Sequence, residues 1–476
     1  MPPHNDRPHP TRSLFILALG ALAFALAQTM LIPALGELMQ QLGTDASGIA
    51  WVLTGYLLAA AVATPVAGRL GDMFGKRLLL VGCLAVFAVG SVVAALGESL
   101  EAVVAGRVLQ GIGGGIFPLC FGIIRDEFPR EKVAGGIGMI SAIFGIGGGA
   151  GLIGGGLVAD HLSYHWIFWV GAISASLAAV ATWVWVPESP VRVPGRIDVP
   201  GALLLAVGLA LPLLAISRAN DWGWGAARTL GLIAAGLVVL AVWVAVERRT
   251  AQPLAHIPTL LEPPVLLTNV ATLLVGFGMF GSFLLIPQLA QAPESTGYGF
   301  GLDATGAGLL MLPGALVMLF AGPVSGVLGT RFGSKLPLTA GAALTAAGLL
   351  GMGLDHPTEL AVTLWNVVIS IGIGLAFAAM ANLIVEAVPP AQTGEATGVN
   401  ALIRSVGASI GSQVTAAILA ASVVTGTGLA TESGFTAAYL VCAGVAATAA
   451  VIAVVIPRGA HQAIRSRVPK PVLAER

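Results

Sequence analysis

Long, unbroken apolar runs separated by short polar turns set the rhythm of this chain. A helix needs about 20 mostly apolar residues to cross the hydrocarbon core of a bilayer. Runs of that kind fall at 13–35, 49–69, 78–97, 101–124, 134–159, 165–186, 198–217, 229–247, 265–290, 304–328, 336–354, 359–387, 394–423 and 435–456. The pattern predicts an all-α polytopic membrane protein of about 14 transmembrane helices. Closed β-barrels are the other way to satisfy every backbone polar group in lipid, but they alternate apolar and polar positions, and these runs do not. The first run follows Arg7 and Arg12 as the core of a signal peptide would. It continues through Met30, Leu31 and Ile32, with no clear small-x-small cleavage site, and reads as an uncleaved first helix.

Composition supports lipid as the solvent. Hydrophobic residues make up 56% and charged residues 10%, against about 25% charged in soluble domains, and the mean hydropathy is +0.91. Formal net charge is zero, so no global field draws the chain to nucleic acid. Cys83, Cys120 and Cys442 lie far apart in apolar runs and read as packing residues rather than metal or redox ligands. Basic residues set an orientation. With the N-terminus inside, the inner segments hold Arg7, Arg12, Arg69, Lys76, Arg77, Arg125, Arg130, Lys132 and eleven more Lys or Arg, while the outer loops hold Arg218 and Arg228. Both termini are therefore expected in the cytoplasm. Trp166, Trp169, Trp222 and Trp224 fall near outer ends, and Trp183 and Trp185 near an inner end, as interfacial aromatics do.

An internal repeat organises the chain. GRLGDMFGKR from Gly68 aligns with GVLGTRFGSK from Gly326, and Pro65-Val66 aligns with Pro323-Val324. Pro129, Gly138, Gly147 and Gly151 align in turn with Pro389, Gly398, Gly407 and Gly411. Both copies keep the same orientation, which predicts two parallel six-helix halves around a central cavity. The expected divisions are a tail at 1–12, a first half at 13–190, an inserted two-helix linker at 191–250, a second half at 251–457 and a tail at 458–476.

Several residues carry candidate chemistry. In Gly68-Arg69-Leu-Gly71-Asp72-Met-Phe-Gly75-Lys76-Arg77, the glycines permit a tight turn and close helix approach. Asp72 suits the positive N-terminus of a neighbouring helix, such as the one starting near Gly394. Arg69, Lys76 or Arg77 can pair with Asp126, making a latch between the halves. Arg107, three residues before Gln110, and Arg404 lie inside apolar runs, where a charge is costly and marks function by default. Gly138, Gly147, Gly151, Gly155 and Gly156 line one helix with spacing that allows a second helix close. Gln28, Thr29, Asn269, Gln288, Asn382 and Asn400 are polar positions within spans, either substrate contacts or interhelical hydrogen bonds.

On these motifs the chain resembles the major facilitator superfamily, and within it the fourteen-helix drug:proton antiporters. The resemblance implies that Gly68–Arg77 is the signature between the second and third helices, that Arg107 takes part in proton transfer, and that the Gly138–Gly156 series is the antiporter motif. It also implies proton coupling, with the proton gradient as energy source and no cofactor or metal. The chain departs from the family twice: Leu152 replaces the proline after the third glycine, and Ala27 stands where the first helix usually carries an aspartate. Glu37, Asp45, Asp126 and Glu386 are the acids near helix ends that remain as proton carriers.

The expected function is export of small hydrophobic drugs or antibiotics from the cytoplasm through the plasma membrane, by a monomer that binds small molecules. Two intramembrane arginines without a central acid also suit an anionic metabolite. A membrane-embedded transferase would need a surface cluster of His, Asp, Glu or Cys, and a sensor would add a soluble output domain; neither feature is present in the sequence. The runs Gly111–Gly115 and Gly145–Gly149 lack a preceding strand and a P-loop lysine, so neither marks a nucleotide site.

Overall fold

A computed structural model describes residues 10–44, 46–190, 192, 198–250, 253, 255–423 and 429–457. Arg7, Asp45, Arg196 and the basic residues after 457 lie outside the described residues, as do the side chains of Glu37 and Leu152. Among the described residues the chain is helical, and 14 helices are long and apolar enough to cross a membrane. The first half comprises α1 (Pro10–Thr29), α2 (Leu31–Gln41), α3 (Ala46–Phe74), α4 (Lys76–Ala95), α5 (Leu100–Ile112), α6 (Ile116–Glu127), α7 (Arg130–His161) and α8 (His165–Trp185). The insert comprises α9 (Val199–Ser217), α10 (Ala219–Trp222), α11 (Ala227–Glu247) and α12 (Ile257–Leu260). The second half comprises α13 (Pro263–Gln291), α14 (Ala304–Phe332), α15 (Lys335–Leu354), α16 (Glu359–Ala387), α17 (Thr393–Ala421) and α18 (Glu432–Val455).

Two expected spans are broken, each for a local reason. The first helix pauses at Met30, because Pro33 has no N–H to give the Thr29 carbonyl four residues back. The fourth passes through one 3₁₀ turn, Gly113–Gly115, between α5 and α6. Glycine is needed there for space: a Cβ on Gly115 would lie 2.2 Å from the Ala67 Cβ, and one on Gly114 2.8 Å from Thr64 Oγ1. The close approach presses this span onto α3.

The halves meet along two seams. On one, α7 crosses α14 with glycines at the contact: a Cβ on Gly138 would sit 2.4 Å from the Gly322 carbonyl oxygen, and one on Gly149 2.3 Å from the Ala315 Cβ. On the other, α3 meets α17, and a Cβ on Gly68 would sit 2.2 Å from the Gly394 carbonyl oxygen. The inserted pair packs on itself through Gly236 against Pro212. Its α9 lays Leu205, Leu209 and Leu213 in a cluster with Ala61 of α3 and with Val399 and Leu402 of α17, roofing the second seam. Helix α11 stays peripheral and exposes Leu230, Leu237, Val238 and Val242. Such apolar exteriors fit lipid. Cations lie over aromatic rings at both ends, Arg12 over Trp185 and Arg77 over Trp183 at one, Arg218 over Trp51 and Arg228 over Trp222 at the other.

Candidate functional site

One end of the α3–α17 seam is closed by charge and backbone together. Gly75 holds φ at +116°, a region that disfavours side chains, and turns the chain from α3 into α4. That turn buries Lys76, whose Nζ lies 3.1 Å from Asp72 Oδ1 and 2.8 Å from Asp126 Oδ2. Ser189 Oγ also donates to Asp126. The other oxygen of Asp72, Oδ2, accepts the backbone N–H of Glu395 at 3.2 Å, in the first turn of α17. A carboxylate at that point satisfies an orphan N–H and faces the positive end of the helix dipole. Of the three cations considered for Asp126, Lys76 takes it. Arg69 Nη1 instead approaches Glu395 Oε2 at 3.9 Å, and Arg77 Nε approaches Glu188 Oε2 at 3.7 Å.

The sequence reading passed over several members of this latch. Glu395 is buried and also accepts the backbone N–H of His256, in the segment after α11. Arg125 donates to Thr393 Oγ1 and, at 2.7 Å, to the Val388 carbonyl, tying α6 to the start of α17. Glu188 accepts the N–H groups of Arg77 and Leu78 at 3.1 and 3.3 Å, capping α4.

Arg107 is fully buried in the first half. Its Nε donates to the Val52 carbonyl at 3.1 Å, and its Nη1 donates to the Ala27 carbonyl at 3.1 Å and to Gln110 Oε1 at 2.8 Å. Gln110 Nε2 passes the chain on to Ser91 Oγ at 2.6 Å. The guanidinium lies 4.2 Å from the Tyr56 ring centroid. Ala27, the position of the family aspartate, thus faces Arg107 with its backbone oxygen alone. Arg404 lies 4.2 Å from the Phe377 ring centroid, away from Arg107 and outside the cavity lining.

Between the halves lies a cavity of about 540 Å³. Gln28, Thr29 and Gln288 line it, as does Arg107. Asn269 and Asn400 do not: Asn400 Nδ2 donates to Asn269 Oδ1 at 2.8 Å, a bond between α17 and α13. Asn382 is likewise outside the lining and donates to the Ala134 carbonyl at 3.4 Å across the α7 seam. Tyr56, Phe280, Phe283, Met311 and Met318 supply apolar wall, and Leu213 of α9 reaches in from the insert. Through Gln288, Gln291 and Ala416 the cavity adjoins a second recess that extends to Tyr298 and Ala430, at the end opposite the latch. Glycines of α7 serve two neighbours. Gly147, Gly151 and Gly155 receive α1 and Met30, with Thr29 Oγ1 donating to the Gly147 carbonyl at 2.9 Å, while Gly138 and Gly156 face α14.

This architecture of two halves, a latch and a central cavity has relatives. The chain is 32% identical over 423 residues to the tetracenomycin C resistance and export protein of Streptomyces glaucescens, covering 88% of this chain and 77% of the relative. It is 27% identical to the multidrug transporter protein MdtP of Bacillus subtilis, covering 86% and 75%. An MFS-type transporter of Mycobacterium tuberculosis is 32% identical, and there the chain spans 57% of the relative's length. Among solved structures, the human organic anion transporter MFSD10 superposes with a TM-score of 0.67 at 16% identity, over 94% of this chain and 100% of that one. At that identity the match concerns the fold. The Major Facilitator Superfamily profile matches residues 17–412. The protein is a multi-pass membrane transporter, not an enzyme, and it belongs to the Major Facilitator Superfamily.

Proposed function

We propose that the protein is a secondary active exporter that moves small hydrophobic drugs or antibiotics out of the cytoplasm by proton antiport. It works as a monomer in the plasma membrane, with both termini cytoplasmic and the Asp72 latch on the cytoplasmic side. The observation that carries this reading is the cavity between the halves, sealed at the latch and continued toward the opposite end. That arrangement is what an alternating-access cycle needs in its outward-facing state. Export as the direction is supported by the named activities of the S. glaucescens and B. subtilis relatives. Proton coupling is supported by the family's motifs and by Arg107, a buried guanidinium facing the Ala27 backbone across α1.

Everted vesicles from cells expressing the full chain test it. Energised by a proton gradient, they should accumulate a panel of fluorescent hydrophobic compounds, lose that accumulation with a protonophore, and lose it with Arg107→Ala. Accumulation that survives collapse of the gradient would overturn proton antiport. No gradient-driven accumulation of any compound by correctly inserted protein would overturn export.

A further inference from the structure

We infer that the central cavity is built for hydroxylated polycyclic aromatic compounds, neutral or singly anionic, and turns away permanent cations. The inference rests on the cavity being the transport site proposed above, and names the chemistry of what it holds.

Charge comes first. Among the described residues that line the cavity, Arg107 is the one with a formal charge, and none is a carboxylate. The groups that hold that guanidinium are neutral: two backbone carbonyls, the Gln110 amide and the Tyr56 ring. The wall therefore carries a positive field in a medium that screens poorly. A unit cation held about 8 Å away, at an effective dielectric of about 20, is disfavoured about 30-fold. An enolate or phenolate gains by the same amount, and a neutral phenol is indifferent.

Shape comes second. Phe280 and Phe283 lie on the wall with ring centroids 5.9 Å apart. Met311 and Met318 add flexible, polarizable sulfur that adapts to irregular rings. On the same wall Gly145, Gly148 and Gly149 keep α7 free of side chains where it packs against Met318, Phe283 and Ala315. Offset stacking on such walls favours planar ring systems.

Hydrogen bonding comes third. Helix α17 presents Ser405, Ser409 and Ser412 to the cavity along one face, at the spacing of successive turns. Ser405 Oγ donates to the Ala401 carbonyl at 3.1 Å and Ser412 Oγ to the Ser409 carbonyl at 3.0 Å. With their protons committed to the helix, both oxygens are left as acceptors. A ligand edge bearing O–H groups completes them, and an edge of bare carbonyls does not.

Equilibrium binding to the purified full-length protein in nanodiscs, with empty nanodiscs subtracted, tests this. The probes are alizarin (a dihydroxyanthraquinone), anthraquinone without hydroxyls, and the permanent cation ethidium. Wild-type protein should bind alizarin at least about tenfold more tightly than ethidium. The triple variant Ser405→Ala, Ser409→Ala, Ser412→Ala should bind alizarin about tenfold more weakly, close to anthraquinone, while its anthraquinone affinity and melting temperature stay put. Ser412→Asp should gain ethidium binding and lose alizarin. Ethidium binding as tightly as alizarin to wild type, or a triple variant with unchanged alizarin affinity, would overturn the inference. Because no gradient is present, the two readings separate. Alizarin binding without gradient-driven transport sinks the export proposal and leaves this one standing. Ethidium export without alizarin binding does the reverse.

Discussion

The two copies of the repeated turn share a frame and differ in charge. In each, the glycine that opens the motif presses on the helix start of the opposite half: Gly68 on Gly394, and Gly326 on Ala134, whose carbonyl oxygen would lie 2.6 Å from an added Cβ. In each, the position following the turn glycine reaches an acid at the end of a helix in its own half. In the first copy it is Lys76, bridging Asp72 and Asp126; in the second it is Ser334, whose Oγ donates to Glu386 at 2.7 Å. The Asp72 position becomes Thr330, which donates within its own helix turn to the Val327 carbonyl. Deeper in, Arg107 donates to the Val52 carbonyl and Asn366 to the Met311 carbonyl, across the same separation of 55 residues. Packing geometry has thus been kept on both sides while ionic chemistry is concentrated on one. One seam closes by charge and helix dipole as well as glycine contact; along the other, the described contacts are glycine approach and the Asn382 bond to the Ala134 carbonyl.

Breaking the charged copy should cost most. Lys76→Met leaves Asp72 and Asp126 buried without their cation, an expected loss of about 3–5 kcal/mol, read as a collapse of thermal stability in detergent and of transport. Unchanged melting would show that the triad is not what holds the turn. Gly68→Val places a branched side chain against the Gly394 carbonyl and should disfavour the shut latch by about 1–3 kcal/mol. Cysteine accessibility at the latch should rise while the fold survives. Ser334→Ala, in the second copy, removes one hydrogen bond to a partly buried acid, with an expected cost of about 1 kcal/mol. A loss matching that of Lys76→Met would erase the contrast between the copies. Thr330→Ala, at an exposed position, should fall within about 0.5 kcal/mol of wild type in melting and transport alike.

Much of this was legible in the sequence because lipid leaves few alternatives. Each of the fourteen apolar runs is helical, twelve on one helix apiece and two broken at Met30 and at Gly113–Gly115, with ends shifted by a few residues, since a run of that length has no other way to satisfy its backbone in a bilayer. Asp72 was legible as a cap because an acid beside a glycine turn seeks a positive helix end. Glu395 was not. It sits at the edge of an apolar run, where acids are usually solvated, and only the approach of Gly68 to Gly394 buries it. Asn269 and Asn400 show the opposite limit: polarity within a span marks a residue as important, but not whether it faces a cavity or another helix. The seating of α9 across the α3–α17 seam was also hidden, because apolar leucines on a lipid-facing helix and on a packed one read alike.

That seating has a mechanical consequence. In the alternating-access cycle proposed above, a helix in contact with both halves cannot follow both when they move apart; it must slide over one of them, and its exposed partner α11 is dragged through the surrounding lipid. Work against the bilayer then enters the balance between the two states. In that cycle, membrane thickness and lateral tension become inputs to the transport rate, alongside the substrate.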